Sequence, residues 1–196
     1  MRTWKSPALA ALLALAGTLV LVTGCAKDGN EYQRLVCEVI QVNDGNPLMS
    51  AYVIPGNGPT TPDKYPIDSV PVTFGARPYD ASVVLPPDTP YSSFHVTSYD
   101  LNWRPLSAEG DSLVNYNIRG AAAEALVPVN DKASTSILIA DRHLKDQPWF
   151  AELSTGARAS FTAVADIRFH GHESGSTRDV VVPAALTVTF VGAAVQ

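Results

Sequence analysis

The sequence predicts an all-β fold, an immunoglobulin-like antiparallel β-sandwich with one short helical crossover, on three observations. Apolar residues recur at every second position within many short runs of residues 34–196, whereas helical periodicity is scarce. Turn clusters rich in Gly, Pro, Asn and Asp separate these runs. The last two runs each have one apolar face, which a second sheet must cover. A jelly-roll sandwich would produce much the same pattern and stays open as an alternative.

The composition indicates a folded, turn-rich chain and excludes some classes of function. Of the 196 residues, 46% are apolar and 17% are charged, which suits a chain with a core and argues against disorder. Fourteen basic and nineteen acidic residues give a net charge of −5, so no nucleic-acid partner is expected. Two cysteines are too few for a disulfide scaffold or a Cys-rich zinc module.

The first strands are predicted on both sides of a turn cluster at residues 43–46. Residues 34–42 and 48–54 are β-rich and flank that cluster, which predicts a first hairpin. Residues 69–74 alternate strictly and form the next predicted strand.

A longer strand is predicted at residues 94–103. Strict alternation puts Phe94 and Val96 on one face of this strand. The opposite face then carries His95, Thr97, Tyr99, Leu101 and Trp103. Three shorter candidate strands follow, at residues 115–118, 124–129 and 134–140.

The clearest strand pair is C-terminal. Residues 159–169 and 180–190 each carry one continuous apolar face, and the polar loop 172–177 joins them, which predicts a long antiparallel hairpin. Ahead of this hairpin, residues 146–153 place an acid shortly before Pro148, which is typical of a helix start. We expect this helical turn to cross between the two sheets.

Residues 1–24 differ from the rest of the chain and are predicted to be a cleaved signal peptide. Arg2 and Lys5 make the start basic, and an apolar stretch at residues 8–22 follows. That stretch is short for a membrane-spanning helix, which needs about 20 apolar residues.

The segment Leu21-Val22-Thr23-Gly24-Cys25 resembles the lipobox of bacterial lipoproteins. The resemblance implies cleavage before Cys25 by a lipoprotein signal peptidase, a diacylglycerol thioether on the Cys25 thiol and acylation of the new amino group. Two or more acyl chains hold a protein firmly on a membrane without spanning it. Ala26, rather than Asp, follows Cys25, and in a diderm host the resemblance then implies the outer membrane.

The expected domain organisation is a signal peptide at residues 1–24, a lipidated tether at 25–33 and a single β-sandwich domain at 34–196. The tether reaches at most about 30 Å when extended, so the sandwich should sit close to the bilayer. Cys37 has apolar neighbours, which predicts a buried strand position, with an intermolecular disulfide as the alternative.

Ten of the fifteen prolines lie between Pro47 and Pro90. Because proline cannot donate to a strand ladder, this part is predicted to be edge strand and irregular loop. The exposed loops at residues 55–59 and 85–90 either bind a ligand or only connect strands. Four acids here could offer oxygen ligands to Ca²⁺ but are interpreted as solvated loop residues: Asp63, Asp68, Asp80 and Asp88.

Sequence motifs for catalysis are scarce, and no cofactor is expected. The sequence contains no Gly-rich phosphate loop and no Gly-x-Ser-x-Gly elbow. His170 and His172 share one face of a strand with Asp166 and could together approach Zn²⁺ or Cu²⁺. Two solvated histidines at a hairpin tip are the interpretation we favour, so no metal site is predicted.

The predicted function is that of a membrane-anchored, non-catalytic module for binding, scaffolding or envelope assembly, with an envelope protein as its partner. Two alternatives stay open. A carbohydrate or small-ligand binding protein requires exposed aromatic rings at Tyr99, Trp103 or Trp149. A metal-dependent hydrolase at the cell envelope requires His95 to converge with the two histidines named above on one metal ion.

Overall fold

The computed structural model describes residues 33–56, 64–85 and 92–193, and it confirms the prediction of an all-β chain with two sheets. These residues belong to one compact unit, Gln33–Gln196. The predicted signal peptide, Cys25 and all of the tether except Gln33 lie outside the described residues. No helix of the described part is long and apolar enough to cross a membrane.

The described residues contain eight strands. Their bounds are β1 Leu35–Val42, β2 Leu48–Val53, β3 Asp68–Pro78, β4 Ser93–Pro105, β5 Ile118–Pro128, β6 Lys132–Ala140, β7 Phe161–Glu173 and β8 Val180–Ala193. One sheet has the order β1-β3-β6 and the other has the order β2-β8-β7-β4-β5. All neighbouring strands are antiparallel except β2 and β8, which run parallel. The helices are α1 Arg142–Lys145, α2 Pro148–Thr155 and the 3-10 helices Asn43–Gly45 and Ala108–Tyr116.

The core lies between the two sheets and is filled by the inward residues of each strand. The predicted C-terminal hairpin is confirmed, since β7 and β8 pair from Phe161–Phe190 to Gly171–Val180 and bury one face of each strand. Cys37 is buried as predicted, and desolvation raises the pKa of its thiol to about 12. A thiol with so high a pKa remains protonated at neutral pH and packs as a small apolar group.

The predicted first hairpin is wrong, because β1 and β2 belong to different sheets. Asn43, Asp44 and Gly45 all have positive φ (52°, 52° and 79°), a conformation that Asn, Asp and Gly adopt more readily than other residues. The Asn43 side-chain amide donates to the carbonyls of Asn46 and Pro47 and holds this bend. The chain keeps its direction through the bend and passes from β1 to β2, which joins the edge of β8.

The predicted faces of β4 are also wrong in part. The pairing of β4 with β7 moves from Val96–Gly171 to Ser98–His170, which leaves Thr97 as an extra residue in a β-bulge. Beyond the bulge the alternation is shifted by one residue. As a result, the inward face of β4 consists of even-numbered residues before the bulge and odd-numbered residues after it. The buried residues of this face are Phe94, Val96, Tyr99, Leu101 and Trp103.

The predicted helical crossover is confirmed. Helices α1 and α2 connect β6 of one sheet with β7 of the other. Asp141 caps α1 by accepting a hydrogen bond from the Leu144 N–H, Pro148 is the first residue of α2, and Gly156 ends α2 with φ 74°.

The strand pairings give the sandwich two distinct ends. The entry end is where the chain enters β1 at Leu35, together with the start of β4 and the hairpin between Glu173 and Val180. The helical end carries α1, α2 and the 3-10 helix Ala108–Tyr116. One ion-pair cluster and one aromatic cluster close the helical end, and hydrogen bonds between loops close the entry end.

Candidate functional site

The outer face of the five-stranded sheet brings the three sequence-predicted histidines onto neighbouring strands. His95 on β4 pairs directly with His172 on β7, and their rings stack with centroids 5.4 Å apart and planes 12° apart. His170 lies on the same face, opposite Ser98. Gly171 between the two histidines is sterically required, since a Cβ at this position would collide with the His95 carbonyl oxygen.

His95 belongs to a small hydroxyl network at the entry end. Its Nε2 lies 2.8 Å from the Ser174 Oγ, which lies 2.6 Å from the Ser93 Oγ. In a catalytic triad, a serine nucleophile is hydrogen-bonded to an imidazole base, as Ser174 is to His95 here. A triad also needs a third group that orients the imidazole. Within the described residues, no carboxylate is recorded on the second nitrogen of His95.

His170 is held by two carboxylates. Its Nδ1 lies 3.2 Å from Asp179 and its Nε2 lies 3.3 Å from Asp100. The hydrogen bond to Asp179, and to a lesser extent that to Asp100, raise the pKa of His170 above its ordinary value. Both ring nitrogens are thus engaged within the protein.

These histidines do not converge on one point. His95 and His172 form a stacked pair, whereas His170 is bound to its own two acids. The part of the chain that the structure describes holds no group of three or more His, Cys, Asp or Glu side chains placed to bind a metal ion. The arrangement demanded by the hydrolase alternative is therefore not found there.

The helical end contains a buried ion pair that the sequence interpretation missed. Asp68 was expected to be a solvated loop acid, but its carboxylate is only 8% exposed and lies 2.8 Å from the Lys145 ammonium. Ser50 donates to the same carboxylate oxygen, at 2.5 Å, and Lys145 donates to the Ala51 carbonyl, at 2.8 Å. Burial lowers the pKa of Lys145, and the hydrogen bond that its ammonium donates to Asp68 opposes that shift.

Of the three other acids of the Pro-rich part, Asp80 alone belongs to the described residues. Asp80 is exposed and accepts hydrogen bonds from the Ser82 backbone and hydroxyl, which lower the pKa of its carboxyl. Asp63 and Asp88 lie outside the described residues, as do the central parts of both predicted loops. No sequence pattern indicates this ion pair, because Asp68 and Lys145 are 77 residues apart in the chain.

The aromatic side chains proposed for ligand binding are mostly in the core. Tyr99 and Trp103 are 1% and 4% exposed, so neither can present a ring to a ligand. Trp149 on α2 is half-buried, and the Arg158 guanidinium covers its ring at 5.4 Å. The exposed rings at Tyr99 and Trp103 that the carbohydrate alternative requires are therefore not present, and both side chains pack in the core.

A cleft of about 300 Å³ opens at the helical end, between the 3-10 helix Ala108–Tyr116 and α1. Its polar lining comprises Asn115, Tyr116, Asn117, Asp141 and His143, and its apolar lining comprises Ile118, Ile139 and Leu144. We call this site the helical-end cleft. The sequence does not predict this cleft, because its polar residues come from two separate segments of the chain, residues 115–117 and 141–143.

Two lining residues of the helical-end cleft are fixed by the backbone. The Trp103 N–H donates to Asn117 Oδ1 at 2.8 Å, and the Leu144 N–H donates to Asp141 Oδ1 at 2.8 Å. The Tyr116 ring makes tilted contacts with His143 and Trp149, with centroids 5.7 and 6.0 Å away. The lining thus combines fixed polar groups with an aromatic ring and an apolar floor, which is the usual construction of a small-ligand site.

No protein-family model matches this chain, and neither a curated protein nor a solved structure does.

Proposed function

We propose that this chain is a lipid-anchored, non-catalytic binding module whose entry end faces a bacterial membrane. The observation that carries the proposal is the position of the chain entry relative to the helical-end cleft. The lipobox-like residues precede β1, β1 begins at the entry end, and the cleft lies at the opposite end of the strands. A protein anchored in this way would present the cleft away from the bilayer.

The start of β1 is held tightly, which fixes the point at which the chain enters the sandwich. One carboxylate oxygen of the buried Glu173 accepts hydrogen bonds from the Arg34 and Leu35 N–H groups, at 2.7 and 2.9 Å. Only residues 25–33 separate this point from the proposed lipid on Cys25. We therefore propose that the entry end stays within about 30 Å of the membrane surface.

We further propose that the sandwich is of the immunoglobulin type. The order β1-β3-β6 corresponds to strands A, B and E of that fold, and the order β8-β7-β4-β5 corresponds to G, F, C and C′. The change of sheet between β1 and β2 supports this correspondence. In a jelly roll, two successive Greek keys would give a different strand order.

The anchor is tested by expressing the full chain in a bacterial host with radiolabelled palmitate. We expect label on the wild-type protein and recovery in the membrane fraction, and in a diderm host recovery with the outer membrane. The variant Cys25→Ala should lose the label and be recovered either unanchored or as the uncleaved precursor, whereas the matched control Cys37→Ala should keep label, cleavage and membrane retention. Unlabelled wild-type protein, or a Cys25→Ala variant that is still labelled or is cleaved and retained normally, would overturn the anchor.

The binding role is tested by crosslinking in the native envelope, with an envelope protein as the expected partner. Wild-type protein should capture its partner, and His143→Ala at the cleft should reduce the yield more than His172→Ala at the entry end. Equal yields from both variants would show that the cleft does not carry the interaction.

A further inference from the structure

We infer that the helical-end cleft binds one ring of a neutral saccharide, with Tyr116 as its aromatic residue in place of the buried Tyr99 and Trp103. This inference rests on the proposed binding function and names the chemical group of the envelope partner that the cleft would contact. A pyranose ring combines apolar C–H faces with hydroxyl groups around its edge. A site for it therefore needs an aromatic or apolar surface together with fixed hydrogen-bonding groups of both kinds.

The cleft supplies donors and acceptors that are already ordered. Asn117 and Asp141 each use one side-chain oxygen to accept a backbone N–H, which fixes the orientation of the amide and of the carboxylate. Asn117 Nδ2 and Asp141 Oδ2 have no hydrogen-bond partner among the described residues. One donor and one acceptor are thus offered to a ligand without the entropy cost of ordering free side chains.

The cleft also supplies a surface for the apolar face of the ring. Tyr116 is half-buried and restrained by its contacts with Trp149 and His143, so its phenol ring can pack against a ligand without large rearrangement. Ile139 is buried beneath the cleft, and Leu144 beside it is buried as well. Apolar C–H groups gain dispersion contacts and shed water against such a floor.

The charge and size of the cleft favour a neutral, single ring over other small ligands. Among its described lining residues there is no Lys or Arg, and Asp141 is acidic, so a phosphate or carboxylate ligand would meet no cation. A volume of about 300 Å³ lies at the small end of the range for ligand sites. One ring of a longer glycan would fit, with its neighbours outside the cleft.

Saturation-transfer difference NMR on the detergent-extracted full chain tests this inference. The probes are glucose, galactose, mannose and N-acetylglucosamine, each titrated separately, with tetramethylammonium as a cationic probe. We expect saturation of the ring protons of at least one sugar, with a Kd on the order of 1–10 mM for so small a ligand.

Variants locate the site. Asn115 and His143 line the cleft, and their side chains are not the ones that accept the Trp103 and Leu144 N–H groups, so removing them leaves those backbone hydrogen bonds in place. Asn115→Ala and His143→Ala should each weaken sugar binding about fivefold, which is the loss expected for one hydrogen bond to the ligand. His172→Ala removes an imidazole at the entry end and should leave the affinity unchanged. Tyr116→Phe keeps the ring and tests the hydroxyl alone.

Three outcomes would overturn the inference. They are no transfer to any of the four sugars, transfer that is unchanged in both cleft variants, and binding of tetramethylammonium without any sugar. The last outcome would keep the cleft as a binding site and replace only the ligand class. The anchor is measured separately through Cys25, so failure of the sugar assignment is distinguishable from failure of the proposed anchoring.

Discussion

The two ends of the sandwich are closed by different chemistry. At the entry end, polar contacts join loops and strand starts, with Glu173 accepting from two backbone N–H groups and Ser174 bonding to both Ser93 and His95. At the helical end, a buried ion pair and a chain of packed aromatic rings close the core. Those rings are Tyr116, Trp149, Phe150, Phe161 and Phe190, with Trp103 packed on Phe190.

The difference suits the proposed separation of an anchor at one end of the fold from a binding site at the other. For the proposed anchor, the entry end needs only to fix the direction in which the chain leaves the sandwich, and the buried Glu173 carboxylate holds the first backbone groups of β1. For the proposed binding site, the helical end must hold the cleft residues in place, and its packed rings and buried charges restrain the two helical segments beside the cleft. Substitutions that loosen one end should therefore leave the other end intact.

The largest expected effect is at the helical end. Lys145→Met leaves the Asp68 carboxylate buried with only the Ser50 hydroxyl, and loss of one partner from a buried ion pair costs about 3–5 kcal/mol. Urea unfolding monitored by circular dichroism measures the loss. The exposed Arg142 on the same helix provides the control, since Arg142→Met should change the free energy of unfolding by less than about 0.5 kcal/mol.

A double variant sharpens this prediction. The double variant Asp68→Ala/Lys145→Met removes both charges, so no unpaired charge is left in the core. It should recover part of the free energy of unfolding that Lys145→Met alone loses. If Lys145→Met and Arg142→Met both lower the free energy of unfolding by less than about 0.5 kcal/mol, the buried ion pair does not stabilise the helical end.

The next effect is at the entry end. Glu173→Ala removes the acceptor of two backbone hydrogen bonds and should lower the free energy of unfolding by about 2–3 kcal/mol. Hydrogen exchange should accelerate most at Leu35, while amides in α2 stay protected. Glu124→Ala, which removes an exposed acid on β5, is the control. Faster exchange in α2 than at Leu35 would contradict the independence of the two ends.

The smallest effect concerns the outer face of the sheet near the entry end. The pKa of His170 is raised mainly by Asp179, so NMR titration should place it above 6.5 in the wild type and closer to 6.5 in Asp179→Asn. A raised pKa stabilises the folded state fully at pH below the unfolded value, and this stabilisation is lost as pH rises through the folded value. The variant should therefore lose stability at pH 5 but not at pH 9. If the pKa of His170 is the same in the wild type and in Asp179→Asn, Asp179 is not the cause of the raised pKa.

Regular alternation made much of this fold predictable. The long hairpin of β7 and β8, the buried Cys37 and the helical crossover at Pro148 follow from the period-two pattern and from helix-start signals. The N-terminal anchor is a different case. It depends on five residues around Cys25 and remains a prediction.

Irregular backbone explains the wrong predictions. The bulge at Thr97 inserts one residue into β4, and no residue type in the sequence marks a bulge there. Simple alternation therefore assigns the residues of β4 beyond Thr97 to the wrong face of the sheet. At residues 43–45, Asn, Asp and Gly signal a turn equally well for a hairpin and for a change of sheet. The strand that pairs with β2 lies more than 130 residues further on, which a local pattern cannot indicate.

The candidate site was less predictable than the fold. Asp68 and Lys145 meet across 77 residues of chain, and the helical-end cleft joins residues around 116 to residues around 142. Sequence spacing places residues on one strand face, as it did for His170 and His172. It does not place residues from separate loops, because their meeting depends on how the sheets are assembled.

The central claim, that a lipid on Cys25 ties the entry end to a membrane, is tested most directly by the intact mass of the protein extracted from bacterial membranes. The account predicts a chain that begins at Cys25 and carries a diacylglyceryl group on the thiol, with a further acyl chain on the amino group in hosts that add one. A mass equal to the unmodified chain, or a chain that begins at any other residue, would contradict it.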